Sequence, residues 1–122
     1  MKLTVRADGF EGWARRGRER ARKLTRGEKV VAEKTINFES PFEMRKVLTV
    51  ERMRLLETTR KQAFSVTGLA EELGRDPKSV RRDVLKLVRV GVLRTREKIN
   101  PGHGRVKIVE PVAARVEMRA SF

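Results

Sequence analysis

The sequence predicts an α+β fold, on three observations. Apolar residues alternate with polar ones at both ends of the chain, they recur at helical spacing in several stretches between, and two basic apolar segments flank a run of turn formers near residue 100. With 122 residues, 39% hydrophobic and 38% charged, the chain has the apolar content of a folded domain. Thirty Lys and Arg against 16 Asp and Glu leave a net charge of +14, which points to a polyanionic partner. The lack of cysteine excludes a disulfide scaffold and any Cys-ligated metal, and a single histidine, His103, is too little for a His-rich site, so no metal or cofactor is expected. No signal-peptide pattern opens the chain, and no window approaches the roughly 20 apolar residues of a membrane span. A soluble, cytoplasmic protein without a membrane partner is the expectation.

Met1, Leu3, Val5 and Ala7 alternate with polar residues, as in a half-buried strand. Asp8 and Glu11 have the spacing of a capping box, so a helix should begin at Gly9 or Phe10 and stop near Gly27. Phe10, Trp13, Ala14, Gly17, Ala21 and Leu24 fall on one narrow stripe of it, read as ordinary core. Seven basic residues, from Arg15 to Arg26, crowd the remaining faces. A second strand fits within 29–38, where Val30, Ala32, Ile36 and Phe38 share parity. Ser40, Pro41 and Glu43 then read as N-cap, first helical residue and capping-box acid of a short helix. Thr49 caps the next helix, about Val50 to Lys61, which presents Met53, Leu56 and Leu55 to a core.

From Ser65 two helical patterns follow closely. The first places Val66, Leu69, Ala70 and Leu73 on one face. The second starts with Asp76 as N-cap and Pro77 at the first position, and runs to Val90 with Gly91 as its stop. The segments 92–96 and 105–109 flank the turn formers of 100–104 and predict a hairpin, with His103 at its tip. Val112, Ala114, Val116, Met118 and Ala120 alternate in a last strand.

Helix, tight turn, longer helix and basic hairpin is the order of a winged helix-turn-helix. Ala70, Gly74 and Val80 sharpen the assignment. A small residue lets the helices cross closely, glycine tolerates positive φ in the turn, and an aliphatic plugs the second helix into the core. At 100° per residue Val80, Val84 and Leu87 face inward with Val90 beside them, while Lys78, Arg82, Leu85 and Arg89 collect on the opposite side with Arg81 and Lys86 on its shoulders.

That face suits the major groove of double-stranded DNA. Arg81 and Arg82 are the candidates for base edges, because a guanidinium donates two bonds to guanine O6 and N7. Lys78, Ser79, Lys86 and Arg89 suit phosphates. Leu85 has two open readings, a thymine methyl or a partner chain. Asp83, an acid on this helix, is expected to orient Arg82 or pair with Lys86. Residues 75–107 hold 11 basic and 3 acidic residues, and the wing adds Arg94, Arg96, Lys98, Arg105 and Lys107 for backbone or minor groove.

The Arg15 to Arg26 run has three open readings: a solvated face, extra phosphate contacts, or a docking surface for an acidic partner. Base stacking is disfavoured, since there is one Trp and no Tyr.

The stretch LTVERMRLL, followed by SVTGLAEELGRDPKSVRRDVLKL, resembles a prokaryotic, largely archaeal family of small winged helix-turn-helix transcriptional regulators, some of whose members are similar to antitoxins of toxin-antitoxin modules. The likeness extends to the first strand, the Trp-bearing helix ending in Arg26-Gly27-Glu28, and Phe38-Glu39-Ser40. It implies that Arg75-Asp76, Lys78, Val80 and Arg82-Asp83-Val84 form the recognition segment. Pro77 departs from the family, where an aromatic residue is usual, and Arg81 departs as well.

The expected organisation is an extension over 1–48 for dimerisation or partner docking, a winged helix-turn-helix over 49–111, and a strand over 112–122 packing on the extension. The leading function is a sequence-specific, homodimeric DNA-binding regulator repressing its own promoter. The resemblance adds an antitoxin that binds a toxin and its own promoter, and a non-specific architectural binder is a third reading. An enzyme is not expected: there is no Cys nucleophile or phosphate loop, and Glu71 and Glu72 diverge by about 100° on one helix.

Overall fold

The computed structural model describes residues 1–31, 33–102 and 104–121. Ala32, expected on the second strand, and His103, expected at the wing tip, lie outside the described residues. The chain forms two compact units: Met1–Lys46 with Arg115–Phe122, and Val47–Ala114.

The first unit is built on β1 (Lys2–Arg6), α1 (Gly9–Thr25), β2 (Lys34–Asn37), most of α2 (Pro41–Val47) and β6 (Arg115–Arg119). Strand β1 is central and pairs in parallel with both neighbours, Val5 lying opposite Ile36 of β2 and Met118 of β6. Leu3, Thr4 and Val5 are all fully buried, so the alternation that reads as a half-buried strand belongs to one covered on both faces. Thr4 tolerates this because its hydroxyl donates to Glu33. Strand β2 is shorter than expected, and Val31 is exposed. Strand β6 begins only at Arg115, after a bend in which Ala113 is buried and Ala114 exposed.

Helix α1 starts at Gly9 and ends at Thr25, and Gly27 takes a positive φ just beyond it, as the sequence predicts. Its packing is the reverse of expectation. Phe10, Trp13 and Leu24 are 68%, 59% and 60% exposed, and the buried residues of the helix are Gly9 and Gly12. The capping box does not form either. The Asp8 carboxylate turns along the helix side to pair with Arg16, over the surface that Gly12 leaves free of a Cβ. The Gly9 N–H donates to the Phe38 carbonyl at 3.1 Å, and Asn37 Nδ2 donates to the Gly9 carbonyl at 2.6 Å. A Cβ on Gly9 would press on the Glu39 carbonyl at 3.0 Å, and one on Gly12 would displace the Asp8 carboxylate.

The second unit holds α3 (Val50–Lys61), β3 (Phe64–Ser65), α4 (Val66–Leu73), α5 (Pro77–Val90), β4 (Leu93–Asn100) and β5 (Gly104–Pro111). Thr49, Ser65 and Asp76 each accept a hydrogen bond from a backbone N–H at the start of α3, α4 and α5. The buried face of α3 runs through Leu55, Leu56 and Thr59, and Met53 lies off it, 38% exposed. A threonine in the stripe hides it from a hydropathy reading, and its hydroxyl is satisfied by the Leu56 carbonyl at 2.8 Å. Strand β3 escapes sequence reading because two residues carry no period; it completes the order β3-β5-β4. The hairpin extends as far as Asn100 paired with Gly104. With Leu69 and Ala70 of α4, Val80, Val84 and Leu87 of α5, and Val92, Leu93 and Val109 buried, the unit is a winged helix-turn-helix with a contiguous core.

Candidate nucleic-acid interface

The α4–α5 turn follows from its sequence. Gly74 adopts φ +63° in the left-handed region, and the N–H groups of Gly74 and Arg75 return to the Glu71 and Ala70 carbonyls at 3.2 and 3.0 Å. Ala70 and Val80 are buried, so all three marker residues occupy the positions their chemistry requires. Asp76 then caps α5 by accepting from the Ser79 N–H at 3.2 Å.

Helix α5 separates its residues cleanly. Val80, Val84 and Leu87 are buried, and Val90 is half-buried. Lys78, Arg81, Arg82, Leu85 and Arg89 are exposed, with Ser79 and Lys86 half-buried at the margins. Among the described residues Lys78, Arg81, Arg82, Lys86 and Arg89 make no ion pair. Leu85 is 51% exposed on this cationic face.

Asp83 overturns an expectation. It neither orients Arg82 nor pairs with Lys86: it is buried, and its two carboxylate oxygens accept from Arg52 Nε at 3.0 Å and Arg75 Nη2 at 2.7 Å. Arg52 of α3 also donates to the Val47 carbonyl at 2.8 Å. This clamp ties α5 to α3 and to the turn, and removes the one acid of the helix from its outward face. The signal is present in the sequence. Asp83 lies about 60° from Val80 on the helical wheel, inside the buried sector. The same inward spacing places Arg52 beside Leu55 and Leu56, so an acid and a base both sit at apolar positions.

The wing is more heavily paired. Glu110 on β5 accepts from Arg94 Nε at 2.9 Å and Arg96 Nε at 3.1 Å, and the hydrogen bond from Arg96, followed by that from Arg94, holds its carboxyl below the ordinary glutamate value. Arg105 donates to Glu97 at 3.2 Å. Lys98 and Lys107 are exposed and, among the described residues, without an ion pair. The three wing arginines singled out from sequence therefore already have carboxylate partners, and the two lysines have none among the described residues. Ile99, 75% exposed next to the turn, is a further surface residue that charge-based reading passes over; its signal is an apolar side chain in a strand whose neighbours are charged.

The HVO_A0114 family model matches residues 47–113, more than half of the chain. No curated protein matches in sequence. Among solved structures, the chain is similar to Rv0081 of M. tuberculosis with a TM-score of 0.50 and 26% identity, over 59% of this chain and 69% of that one. A possible transcriptional regulator from Methanosarcina mazei Go1 aligns with a TM-score of 0.49 and 20% identity, over 57% of this chain and 62% of that one, less than two thirds of its length. A cysteine-to-serine mutant of Lactococcus lactis ZitR, solved in complex with DNA, aligns with a TM-score of 0.49 and 13% identity, over 88% of this chain and 68% of that one.

Proposed function

The chain belongs to the HVO_A0114 family, and we propose that its winged unit is the reading head of a transcriptional regulator that binds double-stranded DNA sequence-specifically, with α5 in the major groove and the wing on backbone or minor groove. One observation carries the reading: the outward face of α5 holds five cations that make no ion pair among the described residues, while its one acid, Asp83, is turned inward and held by Arg52 and Arg75. A face built only for solubility has no need to neutralise its acid internally. Arg81 and Arg82, exposed in the first half of the helix, are the base-reading residues, and Lys78, Ser79, Lys86 and Arg89 bind flanking phosphates. In the wing Lys107 binds phosphate directly, whereas Arg94, Arg96 and Arg105 reach DNA by exchanging a carboxylate for a phosphate, a smaller net gain.

The regulator acts as a homodimer held through the first unit, reading two half-sites one DNA turn apart, roughly 34 Å, in its own promoter. Anisotropy titrations on the gene's upstream duplex and a shuffled duplex, at two salt concentrations, test this. A preference of about a thousandfold or more is expected. Equal, steeply salt-dependent binding to both would make the protein a non-specific architectural binder.

A second reading, an antitoxin that sequesters a toxin and represses their common promoter, is favoured by one feature. The first unit, lying outside the family match, exposes Phe10, Trp13 and Leu24, apolar surface for which DNA binding has no use. Co-purification of the protein from its native operon without a second subunit would count against it.

A further inference from the structure

The outward side of α1 combines three properties. Phe10, Trp13, Ala14, Gly17, Ala21 and Leu24 form a continuous apolar stripe about 21 Å long, and Phe10, Trp13 and Leu24 are more than half exposed. Cations flank the stripe on both sides, Arg15, Arg18 and Arg22 along one and Arg16, Arg20 and Lys23 along the other. Arg15 and Arg16 are paired with Asp8, but Arg18, Arg20, Arg22 and Lys23 make no ion pair among the described residues.

The stripe also has a shape. Bulk stands at its ends, in the Phe10–Trp13 ring pair with centroids 5.5 Å apart and in Leu24. Between them run Ala14, Gly17 and Ala21, and a Cβ built on Gly17 meets nothing within 4 Å. A depression of about 340 Å³ beside Phe10 and Ala14 is rimmed by Glu11, Arg15 and Arg18, two cations against one acid.

We propose that this face is the docking surface for an amphipathic helix of a partner protein, one whose apolar seam is flanked by acidic residues. The small residues form a notch that lets a second helix approach at the short end of the 8–10 Å interaxial range. The flanking cations then meet carboxylates, and an apolar partner side chain fills the depression between Arg15 and Arg18. A second copy of α1 is the wrong occupant, because it would set cation against cation along both flanks. A lipid surface is the wrong occupant too: it rewards bulk along the whole stripe, and the centre of this one is a notch. The inference requires neither that the partner be a toxin nor that α5 bind DNA.

Trp13 is the one tryptophan of the chain, so intrinsic fluorescence reports this surface alone. The probes are a synthetic 18-residue helix with a Leu/Ala seam and Glu flanks, its Lys-flanked counterpart, and vesicles of equal parts phosphatidylglycerol and phosphatidylcholine. The Glu-flanked peptide is expected to shift Trp13 emission to the blue in a saturable titration, and the Lys-flanked one to leave it unchanged. Gly17→Leu, at a position where a Cβ meets nothing within 4 Å, fills the notch and should weaken peptide binding at least tenfold; Arg18→Glu with Arg22→Glu should do the same and let the Lys-flanked peptide bind. DNA binding by Gly17→Leu should equal that of the parent. No shift with the Glu-flanked peptide overturns the proposal, as does unaltered binding by Gly17→Leu. A shift as large on vesicles assigns the face to lipid, and a shift that grows with protein concentration alone assigns it to a second copy; either also overturns it.

Discussion

Helix α5 turns Val80, Val84 and Leu87 into a core and leaves its arginines outside. Helix α1 has apolar residues at the same kind of spacing and still more arginine, yet it packs through Gly9 and Gly12 and leaves Phe10, Trp13 and Leu24 in solvent. The difference lies in what each helix meets. Helix α5 faces a surface of leucine and valine side chains, where burying apolar area stabilises at roughly 25 cal/mol per Å². Helix α1 begins with its backbone bonded to the Phe38 carbonyl and the Asn37 side-chain amide, and folds the Asp8 carboxylate against its own side, where a Cβ on Gly12 would collide with the Asp8 side chain. An apolar stripe establishes the period of a helix. Which side the fold buries depends on the neighbour, and glycine counts as a packing residue when that neighbour is a backbone.

The largest effect that would break this contrast is at the inward anchor of α5. Asp83→Ala leaves Arg52 and Arg75 facing one another with side chains only 18% and 24% exposed, and should cost about 3 kcal/mol, the low end for a half-removed buried ion pair since water reaches both partners. Urea unfolding measures it; a loss below about 1 kcal/mol would mean that packing alone orients α5. On the outward face, Arg82→Ala should cost about 1 to 3 kcal/mol on the preferred site and relax the preference at one base pair. An equal loss on shuffled DNA would demote Arg82 to a phosphate contact.

Gly17→Ala sharpens the other side of the comparison. The position is helical and open, so the substitution should stabilise the protein by about 1 kcal/mol, seen as a raised Tm. A destabilised variant would mean that Gly17 packs against its own chain.

The smallest effect concerns pH. Glu110 has its carboxyl depressed by Arg96 and Arg94. Its contribution to the wing is therefore complete above the ordinary glutamate value of about 4.3 and fades as pH falls through the lower folded value. Protection of the β4 and β5 amides, taken relative to the intrinsic exchange rate at each pH, should hold down to the ordinary glutamate range and fall below it; Glu110→Gln should remove the dependence. Loss of protection already near neutral pH would contradict the pairing.

How much was legible in the sequence followed how local the cause was. The marker residues Ala70, Gly74 and Val80, the caps Thr49, Ser65 and Asp76, and the stop glycines Gly27 and Gly91 act within a turn or two of themselves, and each stands where the spacing placed it. The parallel pairing of β6 with β1 joins the two ends of the chain, and no local pattern encodes it. Strand β2 pairs with β1 from Lys34 to Asn37, a register that joins segments about 30 residues apart and that no local pattern encodes. The cationic face of α5 is readable from angle alone, whereas the Glu110 and Glu97 pairings in the wing depend on cross-strand register, Arg94 directly opposite Glu110 and Arg105 diagonal to Glu97. For Asp83 charge is a poorer guide than angular position, which alone puts it among the inward residues.

The contrast between the two basic helices is tested most directly by the salt dependence of binding to the upstream duplex for two double variants, Lys78→Ala/Arg89→Ala in α5 and Arg20→Ala/Arg22→Ala in α1. Each removes two cations that make no ion pair among the described residues. The slope of log K against log salt should fall by about 2 for the α5 pair, at roughly 0.9 for each phosphate no longer neutralised, and stay at the parent value for the α1 pair. An equal fall for both pairs would make α1 part of the DNA interface, and a fall confined to α1 would overturn the assignment of α5 as the reading helix.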